Sequence, residues 1–274
     1  MTNLNHPFHC PDCKQACTAR RSTRHSSRQS AHPLAPSSAR QPTLLETLMC
    51  PSCKKKYPVQ EGIYQFVEDK DTGTWDTYWK KTPVYDDILD LLRKIMNLQL
   101  KRYLKSYLLP SASAGAVTLE PGGGSAYVSA MLADEGQQAY ALDYASVPLR
   151  IAQQQLQSKA ILVQGDIFNQ PFADNSFDLT FNNSTLEHFK NPLDALKEMA
   201  RVTKSGKYVF VGVPYTYGPL SMYKLKKSSF KGAWDGTTYS GKQLKQLFRE
   251  ADLEIIGSRT FFFRCFVGVV GRKT

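Results

Sequence analysis

The sequence lacks a long apolar run. No window of its 274 residues approaches eighteen uninterrupted apolar positions, the length that a membrane-spanning helix needs. It also lacks the charged and then apolar start of a secretory signal, because its first residues are polar and include His and Cys. An apolar content of 42% still suits a globular core and excludes disorder throughout. We therefore expect a soluble, cytoplasmic protein without a membrane span.

Acidic residues are scarce in two stretches. Residues 1–56 carry nine basic and two acidic side chains, about +7 of the formal net charge of +11. This imbalance indicates either a solvated tail or contact with RNA or another polyanion. Residues 202–234 contain no acid, and their lysines alternate with aromatic residues, which predicts either a basic lid over an acceptor or an ordinary exposed loop. The lysines at issue are Lys224, Lys226, Lys227 and Lys231.

Four of the six cysteines form two Cys-x-x-Cys pairs, Cys10 with Cys13 and Cys50 with Cys53. This spacing is typical of metal ligands more than of disulfides in an intracellular chain. Each pair lies on a Pro-containing turn that lets two thiolates point at one ion, so we predict a structural zinc ribbon, with a redox or free-thiol role as the alternative. Four thiolates complete the site, so a catalytic metal is not expected. Cys17 and Cys265 are expected to be unligated.

Three segments follow from composition and periodicity. Residues 1–68 hold the ribbon, with a flexible Ser/Arg/Pro-rich insert at 19–42. Residues 69–112 form a helical linker or lid with a helix over 84–109, and Trp75, Tyr78 and Trp79 either flank a pocket or pack at an interface. Residues 113–274 alternate short β-like and helix-like runs, which predicts an α/β domain with a mostly parallel sheet. We expect the zinc and cofactor sites to be separable.

Three consecutive glycines, residues 122–124, follow the first strand of the third segment. Glycines at that position let the backbone turn sharply and approach a ligand, and the next helix offers unpaired amides. Glu120 stands close by and would repel a pyrophosphate, but it would suit an ammonium or a sulfonium. A nucleotide-like ligand with a positive tail is therefore indicated.

Carboxylates end three consecutive predicted strands at Glu120, Asp143 and Asp166. Asp143 stands where a carboxylate accepts both hydroxyls of a ribose. Asp166 suits the exocyclic amine of a purine, with Ile167 against the ring, although capping of a turn is the alternative for this Asp. An adenosine with a positive tail and no phosphate fits these groups, which predicts S-adenosylmethionine as the cofactor.

The region from about 116 to 273 resembles a class I S-adenosylmethionine-dependent methyltransferase of the small-molecule, type 11-like group. The motifs that carry the resemblance are "LEPGGGSA", "ALDYA", "QPFADNSFD" and "LEH". The resemblance implies a Rossmann-like seven-stranded sheet, mostly parallel with the last strand antiparallel. The third glycine of the family pattern is here Ala126, a small change. The cofactor-binding residues implied are Glu120, Gly122, Gly124, Asp143, Tyr144, Asp166, Ile167 and Asn182.

The acceptor is less defined than the cofactor. His188 of the "LEH" motif is a candidate general base for a hydroxyl or acidic phenol, or else a residue that packs the next helix. The stretch from Asn182 to Thr185 reads "NNST" and not the [DN]-P-P-[YF] of amino-methylating relatives. No cysteine stands there for attack on a cytosine ring.

Three hypotheses remain for the function. The first is methyl transfer to a small-molecule or lipid- or glycan-linked acceptor. The second is an RNA methyltransferase that grips rRNA or tRNA through its basic ribbon. The third is a non-catalytic scaffold, since "CPSCKKKYPVQEGIYQF" resembles small zinc-ribbon proteins that activate other methyltransferases. Salt-sensitive RNA binding would favour the second.

Overall fold

The computed structural model describes residues 7–22, 45–68, 87–108, 115–154, 157–219, 221 and 236–274. The expected insert beyond Ser22, the residues Trp75, Tyr78 and Trp79, and the four lysines of the expected lid lie outside these ranges. None of the helices in the described part of the chain is both long enough and apolar enough to cross a bilayer.

Eleven strands of the described chain join in one sheet. Their spatial order is β1-β2-β3-β4-β7-β6-β5-β8-β9-β11-β10. The strands are β1 Thr18–Ser22, β2 Leu45–Met49, β3 Lys56–Gln60, β4 Ile63–Gln65, β5 Val117–Pro121, β6 Gln138–Asp143, β7 Ile161–Gln164, β8 Phe177–Asn183, β9 Thr203–Pro214, β10 Leu253–Phe261 and β11 Phe266–Lys273.

The predicted seven-stranded, Rossmann-like sheet is confirmed by strands β5 to β11. The pairs β5–β6, β6–β7, β5–β8 and β8–β9 are parallel, whereas β11 is antiparallel to both β9 and β10. Parallel strands with helices on both faces are buried and read as near-continuous apolar runs, as these do. All the parallel strands therefore end at one edge, which the following sections call the carboxyl edge.

The N-terminal segment extends this sheet beyond its seven strands. Strand β4 pairs in parallel with β7, and β3 joins β4 through a tight turn in which Glu61 and Gly62 have φ values of 50° and 78°. Two consecutive positive φ values are typical of the hairpin turns that match strand twist. Because β4 covers β7, that strand has no exposed edge on this side. Residues 19–22, expected in the flexible insert, belong to β1.

Aromatic packing joins the N-terminal segment to the sheet. The Phe8 side chain is buried, and its ring lies 5.6 Å from that of Phe172 and 6.0 Å from that of Tyr140. Tyr57 and Phe66 pack against each other beside it, with ring centroids 4.6 Å apart. The ribbon and the sheet therefore share one hydrophobic core.

Five α-helices accompany the sheet in the described chain. They are α1 Asp87–Leu108, α2 Tyr127–Asp134, α3 Ser146–Gln154, α4 Pro192–Val202 and α5 Gly241–Glu250. The helical spacing of apolar residues in this segment predicts a buried face that includes Leu91. Leu100 and Leu104 of α1 are buried, whereas Leu91 is 58% exposed. A serine directly before the helix-like run that starts at residue 241 predicts an N-cap, and Ser240 is that N-cap, with Gln243 completing a capping box.

Candidate functional site

A cavity of about 400 Å³ opens at the carboxyl edge, where β5, β6, β7 and β8 end. That volume lies within the range of small-molecule sites. The described residues that line it include two carboxylates and no lysine or arginine. The lining residues are Gly122, Gly124, Leu142, Asp143, Tyr144, Ala145, Asp166, Ile167, Phe168, Ser184, Thr185, His188 and Phe189.

The glycine turn forms one wall. Gly122 and Gly124 have φ values of 69° and 54°, which glycine adopts at no steric cost. A Cβ on Gly122 would lie 2.3 Å from Cγ2 of Thr185, and the Thr185 hydroxyl donates a hydrogen bond of 2.8 Å to the Gly122 carbonyl. The loop after β8 therefore excludes any side chain at residue 122.

Ala126 enters α2 in the left-handed conformation, with φ 54°. This is the position where the family pattern has its third glycine. The alanine keeps the backbone conformation that a glycine would adopt, at a steric cost of roughly 1–2 kcal/mol. The departure in sequence therefore leaves the turn intact.

Asp143 ends β6 and faces the cavity. Its Oδ2 accepts a hydrogen bond of 2.9 Å from the Gly124 amide, and its Oδ1 accepts one of 2.9 Å from the Ala145 amide. The two bonds fix the carboxylate at the mouth of the glycine turn. A carboxylate oxygen carries two lone pairs and can accept more than one hydrogen bond.

Asp166 and Ile167 follow β7 on the opposite side. Oδ1 of Asp166 accepts from the Phe168 amide at 2.9 Å, so this residue both caps its turn and lines the cavity. Ile167 is buried, and Phe168 packs against Phe189 with centroids 4.8 Å apart. These apolar side chains form walls suited to a flat ring.

Glu120 lies behind the cavity wall and not among the lining residues. Its Oε2 accepts from the Ser129 amide at 3.0 Å and from the Ser129 hydroxyl at 2.6 Å. Burial, with a smaller contribution from the charge of Asp143, raises the pKa of this carboxyl from 4.5 to about 7, although the Ser129 hydrogen bonds lower it. In this structure Glu120 holds the glycine turn to α2.

Asn182 likewise stands outside the lining. It is fully buried in β8, and its Nδ2 donates to the Pro121 carbonyl at 2.5 Å. Its Oδ1 has no hydrogen-bond partner among the described residues. This bond joins the ends of β5 and β8, beside the glycine turn.

His188 lines the cavity from the short 3₁₀ helix Leu186–His188. Its Nε2 lies 3.9 Å from Oε1 of Glu187, whose side chain is fully buried. Ser184, Thr185 and Phe189 complete this wall and were not singled out from the sequence. These residues flank the "LEH" motif, which was the sequence signal that could have identified them.

The four cysteine thiols of the two pairs converge at a second site, with their Sγ atoms all within 4.8 Å of one another. The Sγ atoms of Cys10 and Cys53 lie 3.7 Å apart, and those of Cys13 and Cys50 lie 3.3 Å apart. Sulfurs at 2.3 Å from a tetrahedral zinc would be separated by about 3.8 Å, so the arrangement fits that ion. The hydroxyl of Tyr57 lies 3.0 Å from Sγ of Cys10.

The two cysteine turns have the same backbone geometry. The amide of Lys14 bonds to the Cys10 carbonyl, and that of Lys54 bonds to the Cys50 carbonyl. Both lysines have positive φ values, 55° and 61°. Such paired turns bring both thiolates of each pair to one point. His9 is not part of the cysteine cluster, and its imidazole Nδ1 is hydrogen-bonded to the Lys14 carbonyl.

Cys17 stands apart from the four. Burial, reinforced by the charges of the neighbouring cysteines, raises the pKa of its thiol to about 12. A protonated thiol is a poor metal ligand. Cys265 is also outside the cluster, so neither of these cysteines belongs to the candidate metal site.

The ribbon contacts the loop that carries Asp166 and Ile167. The amide of His9 donates to the Pro171 carbonyl, and the amide of Ala173 donates to the Pro7 carbonyl, each at 3.0 Å. The Lys14 ammonium donates to Oδ1 of Asn169 in the same loop. The amide of Phe66 donates to the Gln164 carbonyl at 2.8 Å, just before the loop begins. The candidate metal site therefore braces one wall of the cavity.

Comparison with known proteins shows what the chain is similar to in sequence. Residues 119–211 match the family described as "Methyltransferase domain". The chain is 30% identical over 182 residues to a demethylmenaquinone methyltransferase of Bacillus licheniformis, covering 57% of this chain and 78% of that protein. The matches to other leading curated relatives, a bifunctional biotin-biosynthesis protein and two demethylmenaquinone methyltransferases, span between 28% and 60% of the length of those proteins.

Solved structures agree on the fold. A SAM-dependent methyltransferase of Thermotoga maritima superposes with a TM-score of 0.58 at 20% identity, over 73% of this chain and all of that chain. A chain of the complex between the Haloferax volcanii Trm112 methyltransferase activator and a methyltransferase superposes with a TM-score of 0.56 at 18% identity. That match covers 75% of this chain and 98% of the other.

The buried Glu120 makes stability depend on pH. Because its folded pKa is raised, the folded state holds a proton that the unfolded chain loses between pH 4.5 and about 7. The contribution of this group to the free energy of unfolding therefore falls as pH rises through that window, by an amount on the order of a few kcal/mol. Urea unfolding of the wild type and of Glu120→Gln across pH 4.5–8 should show that the variant gains stability relative to the wild type as pH rises. Parallel profiles would show that Glu120 is ionised in both states.

Proposed function

Because this chain belongs to the S-adenosylmethionine-dependent methyltransferases, we propose that it transfers a methyl group from that cofactor to a small-molecule or lipid- or glycan-linked acceptor. The observation that supports the proposal best is the cavity at the carboxyl edge, which offers two carboxylates and no lysine or arginine among its described lining residues. That set of groups suits an adenosine with a cationic tail.

Each part of the cofactor would contact a different group of cavity residues. Asp143 would accept the ribose hydroxyls, since its carboxylate is fixed by the Gly124 and Ala145 amides. Asp166 and Ile167 would hold the adenine. The open backbone at Gly122 and Gly124 would lie against the amino-acid tail. When bound, the cofactor supplies an electrophilic methyl group on a sulfonium.

The remaining wall would receive the acceptor. Methyl transfer is an in-line displacement, so the main tasks of the protein are alignment and exclusion of water. Thr185 and Phe189 border the cavity beside His188. For a hydroxyl acceptor, the imidazole of His188 would take the proton, and the buried Glu187 carboxylate, 3.9 Å from Nε2, would stabilise the imidazolium that results.

The four cysteines, we propose further, hold one structural zinc ion. Their sulfur separations of 3.3 and 3.7 Å and the matching backbone turns support this assignment. With a metal bound, the Tyr57 hydroxyl would donate to the Cys10 thiolate as an outer-shell contact. The contacts from the ribbon to the loop 165–172 argue against separable zinc and cofactor sites.

The first prediction from this proposed function concerns binding of the cofactor. Calorimetric titration with S-adenosylhomocysteine should show micromolar binding by the wild type. Asp143→Ala should weaken it roughly 10- to 150-fold, because the variant loses hydrogen bonds to a charged group. The exposed Asp194→Ala on α4 is the control with the same charge change. Absence of binding by a folded, zinc-loaded wild type would favour the scaffold hypothesis instead.

The second prediction concerns proton transfer from the acceptor to His188. With an acceptor found by screening small phenols, acids and RNA, His188→Gln should lower kcat about 10²- to 10⁴-fold near neutral pH for a hydroxyl acceptor. It should leave S-adenosylhomocysteine affinity unchanged. Lys190→Gln, exposed two residues further on, serves as the control. Unchanged turnover at every pH would remove His188 from proton transfer, and a preference for RNA would support the second hypothesis.

The third prediction concerns the metal. Zinc analysis should give about one ion per chain, as a single four-thiolate site requires. Removal of the metal, by chelation or in Cys50→Ser, should weaken S-adenosylhomocysteine binding by about tenfold, a typical coupling between linked sites. Cys17→Ser should keep both zinc and affinity. Equal affinity of zinc-free and zinc-loaded protein would show that the ribbon and the cofactor site are independent.

A further inference from the structure

The turn between β10 and β11 displays an aromatic side chain in an unusual way. Phe262, Phe263 and Arg264 are consecutive residues with φ values of 47°, 54° and 61°. Bulky residues avoid this left-handed region, and three in a row are exceptional. The ring of Phe263 is nevertheless 69% exposed. The strained backbone does not bury the Phe263 ring. We therefore look for a role of this ring at the protein surface and not in the core.

The rest of the structure holds the turn in place. The Cys265 amide donates to the Phe262 carbonyl at 2.9 Å, and the Phe262 amide donates to Oε1 of Gln99 on α1 at 3.2 Å. The Tyr215 amide donates to the Cys265 carbonyl at 2.9 Å. The exposed ring of Phe263 is therefore presented from a fixed backbone.

Beside this turn lies a cleft of about 590 Å³ between α1 and the end of β10. Arg102, Arg259 and Arg264 line it, and no acidic residue occurs among its described lining residues. No ion pair joins these arginines to a carboxylate in the described part of the chain. The guanidinium of Arg259 stacks on Tyr103 at 4.9 Å from the ring centroid, which keeps one of the three charges in the cleft.

The turn between β10 and β11 lies at the same end of the strands as the cofactor cavity. Strand β10 ends at the same carboxyl edge as β5 to β9, so the turn and the cavity share one edge of the sheet. Tyr217, which follows β9, is 70% exposed beside the turn, where a Cβ on Gly218 would lie 2.3 Å from the Arg264 carbonyl oxygen. The chain between residues 202 and 234 contains no acid.

We propose that this turn and the arginine cleft dock the protein on an anionic phospholipid membrane. Phe263 and Tyr217 would enter the headgroup boundary, as exposed aromatic side chains do at interfaces. The three arginines would bind lipid phosphates, for which the guanidinium fork is suited. Docking would turn the mouth of the cofactor cavity toward the lipid. The proposal goes beyond methyl transfer and does not depend on it.

A membrane fits these observations better than RNA. Proteins that bind single-stranded RNA stack bases on aromatic faces inside a basic groove. Here Phe263 projects from the tip of a turn, and the cleft with the arginines lies to one side. An apolar tip with neighbouring cations is the arrangement of a peripheral membrane anchor.

The test measures cosedimentation of the whole chain with vesicles. Vesicles of phosphatidylcholine and phosphatidylglycerol in equal parts should bind the wild type, vesicles of phosphatidylcholine alone should not, and added salt should weaken the binding. Phe263→Asn should lower the affinity by about fivefold or more. Its Tm should not fall, because Asn tolerates the left-handed conformation better than Phe. Arg102→Gln with Arg264→Gln should lower the affinity roughly 20- to 30-fold.

Two matched controls separate a specific surface from general attraction. Leu91→Gln removes an apolar side chain that is 58% exposed on α1, away from the turn. Lys245→Gln with Arg249→Gln removes two positive charges from α5. Both should bind anionic vesicles like the wild type. The proposal is overturned if the wild type ignores anionic vesicles, if the controls lose as much affinity as the test variants, or if the test variants lose affinity for single-stranded RNA alone. Titration with S-adenosylhomocysteine, run on the same samples, reports on the proposed methyltransferase separately.

Discussion

The parallel pairing of β5 with β6, β6 with β7 and β5 with β8 is the constraint on which the rest of the site depends. Parallel pairing brings the carboxyl ends of consecutive strands to one edge, although the residues there are about twenty positions apart in sequence. Asp143 and Asp166 face one cavity only because their strands are hydrogen-bonded neighbours. The glycine turn then closes on Asp143 through the Gly124 amide.

The same pairing explains how the cysteine-rich segment becomes part of the site. Strand β7 would be an unprotected edge of the seven-stranded sheet, and β4 covers it with parallel hydrogen bonds. From that position Phe8 enters the shared aromatic core and the backbone of residues 7–9 pairs with the loop after β7. A segment that reads as a separate ribbon is thus built into the wall of the cavity.

Sequence patterns identified the elements well where one signal dominates. A proline at residue 192 and regular apolar spacing up to residue 202 predict a helix over 192–202, and α4 has these bounds. The cysteine spacing predicted the thiol cluster, since a tight turn leaves two such side chains few other arrangements. The apolar face of α1 was placed less well. Leu91 is exposed, whereas Leu100 and Leu104 make the buried contact, because tertiary packing and not periodicity decides which part of a long helix is covered.

The sequence by itself determined the α/β class, the mostly parallel seven-stranded sheet implied by the family resemblance, the paired thiols, and more than half of the described residues that line the cavity. These depend on local periodicity, on turn chemistry and on motifs whose spacing fixes their geometry. Only the tertiary structure decided that Glu120 and Asn182 hold the backbone behind the cavity wall while Phe168, Thr185 and Phe189 line it. It also decided that β4 joins the sheet and that Phe263 is held out in solvent. The physical reason is that the direction of a side chain and the partner of an edge strand follow from contacts between segments far apart in sequence.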